Sequence, residues 1–118
     1  MTIANNNRLE KGLHRILTAA LLVESYVEGL TKEDFLEDRK TQDAVCMNII
    51  VIGENSAKLL ETHGEALSVN HPDIPWKAMR GMRHRMAHGY EETDFDMVWH
   101  TLKTYIPELI ESLQKNRI

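Results

Sequence analysis

Leu9, Leu13, Ile16, Leu17, Ala20, Val23 and Val27 recur at intervals of three and four residues. That spacing lines one face of an α-helix and no face of a strand. It predicts a long first helix ending near Gly29. The same period returns twice more. Ala44, Val45, Met47, Ile49, Ile50, Ile52, Ala57, Leu59 and Leu60 form the apolar set of a helix from about Thr41 to His63, with Gly64 as its C-terminal cap. Val45–Ile52 has the β-branched content of a strand, but the length of the surrounding pattern decides for helix. Its apolar residues point to several sides, which predicts a central position. Phe95, Val98, Trp99, Leu102, Ile106, Leu109, Ile110 and Leu113 form the last such set, opened by Thr93-Asp94-Phe95-Asp96 and interrupted by Pro107, which is expected to kink or restart it.

Shorter elements fill the gaps. Thr31-Lys32-Glu33-Asp34 reads as a capping turn that opens a short helix through about Arg39. Residues 64–75 read as a loop, because His71-Pro72 and Ile74-Pro75 force extended geometry before each proline. A further helix begins near Trp76 and ends near Gly89. The expectation is an all-α bundle of four or five helices, with residues 1–118 as one domain. Trp76 and Trp99 are expected as core anchors, and His14, His63, His71 and His100 as ordinary surface or helix-face residues.

Charge and cysteine usage narrow the class. One cysteine, Cys46, sits in an apolar run and forms no internal disulfide; with a polar N-terminus that lacks a signal-peptide core, this predicts a reducing cytoplasm. No apolar stretch is long enough to span a bilayer. The net charge is −4, yet residues 76–90 hold four basic side chains (Lys77, Arg80, Arg83, Arg85) and no acid. A concentrated basic patch on an acidic body suits a local anion site better than a surface that coats a duplex. A solvated helix face whose charges pair with acids elsewhere accounts for it equally well.

On a helical wheel of about 100° per residue, Trp76, Lys77, Arg80, Arg83, His84, Ala87 and His88 share one arc, and Ala78, Met79, Met82 and Met86 share the other. Three readings compete for the polar arc. It is a solvated face favoured near a helix C-terminus; or His84 and His88 hold a metal; or the arc binds a phosphoester. Two ligands are too few for a metal, no acid lies in the segment, and the arginines repel a cation. For a phosphoester, arginine holds two phosphate oxygens and offsets the charge of a pentacoordinate transition state, and histidine moves a proton at neutral pH. In RNA the 2′-hydroxyl is a built-in nucleophile, so such chemistry needs no cofactor. Gly53-Glu54 reads as close helix packing at Gly53, with Glu54 a buried partner of the basic face.

Arg83-His84-Arg85-Met86-Ala87-His88-Gly89-Tyr90 resembles the Arg-Asn-x-x-x-His-x-Tyr motif of the HepT-like branch of the HEPN superfamily. Asp43-Ala44-Val45, Ile52-Gly53-Glu54, Pro72-Asp73-Ile74-Pro75-Trp76, Met79-Arg80-Gly81-Met82-Arg83, Asp94 and Val98-Trp99 resemble the rest of its pattern, over most of the chain. One position departs: His84 stands where asparagine is common. The resemblance implies a helical bundle that dimerises and brings two Arg–His pairs into one cleft. It implies a metal-independent ribonuclease toxin of a toxin–antitoxin module, with Arg83 on the scissile phosphate and His88 as general acid or base. Lys77, Arg80, His84 and Arg85 are then RNA contacts, with tRNA a candidate substrate. The implied partner is an MntA-type nucleotidyltransferase antitoxin that adenylylates Tyr90. The alternative from another class is a non-catalytic helical module that binds a nucleotide or a nucleotidyltransferase.

Overall fold

The computed structural model describes residues 3–88 and 92–115, with the backbone alone at 3–6, 84, 85, 87 and 88. Among the described residues there are five helices and no strand: α1 (Ile3–Val27), α2 (Lys32–Leu36), α3 (Arg39–Asn70), α4 (Trp76–His88) and α5 (Phe95–Lys115). None is long and apolar enough to cross a membrane.

Each start and stop has a local cause. Gly29 adopts a φ of 79°, left-handed geometry that turns the chain out of α1. Thr31 then caps α2 reciprocally: its hydroxyl accepts from the Asp34 N–H at 3.1 Å, and its own N–H donates to the Asp34 carboxylate at 3.0 Å. This helix is shorter than expected. Asp38 ends the turn after it and caps α3, accepting from the Thr41 N–H at 3.1 Å and its hydroxyl at 2.6 Å. Asp94 caps α5 by accepting from the N–H groups of Asp96 and Met97. Pro107 lies inside α5 without dividing it into two helices. Its ring is exposed, on the side away from the core stripe Val98, Leu102, Ile106, Leu109, Ile110 and Leu113.

The expected end of α3 at His63–Gly64 is a bend instead. His63 departs from helical geometry (φ −135°, ψ 24°), and the helix then continues to Asn70. Leu67, one turn beyond, is fully buried and holds the second segment on the core. The loop is therefore 71–75, not 64–75. His63 is itself buried, with 8% of its surface exposed, and so is not the surface residue its sequence context suggests.

α3 is central, as its several apolar sides imply. It packs along α1 on one flank and α4 on the other, α5 packs on α1, and α2 bridges α3 and α5. Fully buried Phe35 pins α2 in place, its ring 5.4 Å from Trp99 and 6.2 Å from Phe95. Buried Gln42 donates to the carbonyls of Phe35 and Leu36 and so ties the end of α2 to α3; the Phe35 carbonyl also accepts from the Asp38 N–H. Cys46 is a core residue, and burial pushes its thiol up to about 11. Met47 is an exception to the apolar set: it is 59% exposed, on the outer side of α3.

Candidate functional site

The start of α4 is fixed by Trp76. Its indole N–H donates to the His71 carbonyl at 3.2 Å, and its ring stands edge-on to the His71 ring. Trp76 is buried, although the wheel places it on the polar arc, because the 71–75 turn folds over that end of the helix. Met79 is buried, and Met82 and Met86 pack against the core, as the methionine stripe predicts. Ala78, assigned to the same inner side, is exposed. Lys77 and Arg80 are exposed on the outer side.

Arg83 lies at the seam between these faces, where α3 and α4 touch through Gly53. A Cβ placed on Gly53 would sit 2.5 Å from the Arg83 Cβ and 2.9 Å from the Met79 carbonyl oxygen. Only glycine permits this approach. The contact sets the root of Arg83 against the α3 main chain. One residue on, the Glu54 carboxylate accepts from Arg83 Nη1 at 3.4 Å. Glu54 is thus the partner of the basic face that the sequence suggests, but it is not buried: the Glu54 and Arg83 side chains are 47% and 36% exposed. A long, half-exposed ion pair of this kind contributes at most about 1 kcal/mol. Phosphate oxygens arriving from solvent compete with it readily, since a guanidinium binds them in a bidentate manner.

His84, Arg85 and His88 follow on the α4 backbone, and their side chains lie outside the described residues. Gly89 and Tyr90, which carry the expected helix end and the modification site, also lie outside the described residues. An ideal helix separates residues five apart, such as Arg83 and His88, by roughly 140° around the axis and about 7.5 Å along it.

Sequence reasoning missed two features. That the Gly53 contact falls on Arg83 itself is set by the α3–α4 register, which periodicity does not encode. An apolar groove between α4 and α5 was also missed. Its signal was present in Thr101, Tyr105, Glu108 and Ser112, a polar and aromatic stripe at three-and-four spacing beside the core stripe of α5.

Residues 16–115 match the family described as Ribonuclease HepT-like. The chain belongs to this family, the HepT-like branch of the HEPN superfamily. A Thermococcus cleftensis protein named "Probable ribonuclease HepT" is 36% identical over 105 residues, covering 89% of this chain and 92% of its own length. A provisionally named RNase of Methanocaldococcus jannaschii is 29% identical over 104 residues, covering 87% and 82%. One from Caldanaerobacter subterraneus subsp. tengcongensis is 29% identical over 103 residues, covering 87% and 88%. No solved structure matches the chain.

Proposed function

We propose that this chain is the toxin of a toxin–antitoxin module and cleaves RNA without a metal, as a cytoplasmic homodimer of one domain over residues 1–118. The carrying observation is Arg83: a cation rooted by helix contact, half-exposed, and held by one weakly bound carboxylate. In the reaction the 2′-hydroxyl oxygen attacks phosphorus as a base takes its proton. The P–O5′ bond breaks, and an acid protonates the departing 5′-oxygen. The products are a 2′,3′-cyclic phosphate and a 5′-hydroxyl. Arg83 offsets the charge on the equatorial phosphate oxygens, and His88 serves as base or acid. The step needs one of each. Two copies of His88 related by a dimer axis supply both, and they also resolve the angular separation of Arg83 and His88 on one helix.

The outer side of α3 supports such a dimer. Exposed Met47 and half-buried Ile50 and Val51 lead along that helix to Glu54 and Arg83. Lys77, Arg80, His84 and Arg85 then extend phosphate contacts along the RNA, tRNA being one candidate. An MntA-type nucleotidyltransferase is the partner in this reading. By adenylylating Tyr90, two residues beyond His88, it adds negative charge and bulk beside the cleft and excludes RNA.

The test is cleavage of total RNA and tRNA in EDTA by the parent protein and by Arg83→Ala and His88→Ala. Cleavage by the parent alone, with cyclic phosphate ends, is expected. No cleavage by unmodified dimer would move the assignment to the non-catalytic nucleotide- or nucleotidyltransferase-binding module.

A further inference from the structure

α4 is held by α3, and α5 by α1 and α2, but α4 and α5 do not pack along one another. Between them runs an open groove of about 270 Å³. Met79, Met82, Ile74, Pro75, Ile106 and Leu109 form its apolar lining. Tyr105 stands at its edge, 54% exposed. One end is latched by a 2.6 Å hydrogen bond from the Ser112 hydroxyl to Asp73.

The charge of this groove is one-sided. Asp73, Glu108 and Glu111 line it, and among the described residues no Lys or Arg does. The hydrogen bond from Ser112 holds the Asp73 carboxyl below the usual carboxylate range, with Lys115 and His71 adding to the effect. Glu108 and Glu111 have no ion pair to a described residue. The groove thus lies under the methionine side of α4, while Lys77 and Arg80 point outward on its other side. An acidic rim repels RNA phosphates. It also repels a second copy offering the same groove.

We infer that this groove is a docking site for an amphipathic helical segment of a partner protein, apolar on one face and carrying lysine or arginine beside it. A helix laid between α4 and α5 would cover Met82 and Tyr105 and bring its cations to Glu108 and Glu111. Methionine adapts to varied apolar side chains, which suits a floor that must accept another chain. The site is separate from the Arg83 face and does not depend on the ribonuclease reading.

The experiment uses the full-length protein with 13C-labelled methionine methyl groups. The probe is a synthetic amphipathic peptide with leucine on one face and lysine and arginine on the other; the control is the same peptide with glutamate in place of the cations. The basic peptide should shift Met79 and Met82 saturably and leave the exposed Met47 and Met97, which lie off the groove, unmoved. Reversing two exposed acids together (Glu108→Lys with Glu111→Lys) should weaken basic-peptide binding about tenfold and turn the preference toward the acidic peptide, with the remaining methyl spectrum unchanged. Equal response to both peptides, shifts spread over all methionines, or no shift at Met82 would overturn the assignment. So would concentration-dependent shifts at Met82 without peptide, which would place a second copy in the groove.

Discussion

At Gly53 the main chains of α3 and α4 come closer than any side chain allows, and the nearest atom across the contact belongs to Arg83. Gly53→Ala must therefore push α4 outward. The expected loss is about 1–3 kcal/mol, the usual range for overpacking, read by urea denaturation, with a larger loss of cleavage than of stability. Gly81→Ala is the counterpart: open space surrounds the added methyl group, and helix propensity alone should raise stability by roughly 0.5–1 kcal/mol. An equal effect of the two substitutions would contradict the close contact at Gly53. Cys46 makes a second residue-scale prediction. Its thiol titrates near 11 because the protonated form is favoured by burial, so folded protein should resist iodoacetamide at pH 8 and react only on unfolding. The folded state holds this proton while the unfolded state releases it, so Cys46 lowers stability as pH rises from 9 toward 11. At this scale Gly53, Glu54 and Cys46 were legible in the sequence. The exposure of Glu54 was not, because pairing and burial are separate properties and residue type speaks only to the first.

At the scale of elements, α3 is the instructive case. The three-and-four spacing in fact runs through Leu60, His63 and Leu67, but Gly64 reads locally as a stop. Tertiary burial of Leu67 wins: the main chain bends at His63 and resumes helical geometry. Leu67→Ala should cost about 2–5 kcal/mol, as for other buried leucines; a change within error would mean that the segment after the bend is not anchored. The start of the same helix has a pH signature. The Thr41 hydroxyl and N–H hold the Asp38 carboxyl below its ordinary value. Its capping contribution is thus present above the usual carboxylate pKa and is lost as pH falls through the lowered one. Asp38→Ala should lower Tm more at neutral pH than in strong acid, where the protonated carboxyl caps only as a neutral acceptor, whereas Asp38→Asn should match the parent most closely in acid.

For the whole molecule, the all-α class followed from periodicity alone, because every long apolar set repeats at helical spacing. The packing order did not. Which helix flanks α3, and which pair is left apart to form a groove, depends on shape between elements distant in sequence. The proposed dimer belongs to this scale. Met47→Glu places a charge on the outer face of α3, where the side chain is 59% exposed in the single chain. It should give a monomer by sedimentation with unchanged circular dichroism and no RNA cleavage; a fully active dimer would exclude this face. If the cations on α4 meet the RNA as proposed, cleavage should also weaken with added salt, with a slope set by the small number of phosphates they neutralise.

The Gly53 contact has one more consequence. It immobilises the base of the Arg83 side chain, whose tip has, among the described residues, one weak carboxylate partner, Glu54. If Arg83 takes the phosphate as proposed, capture and release should need side-chain rotation alone, on a picosecond to nanosecond scale, with no collective displacement of helices. The arginine works as an arm swinging on a fixed mount, so its reach is set by the backbone while its grip is free to change.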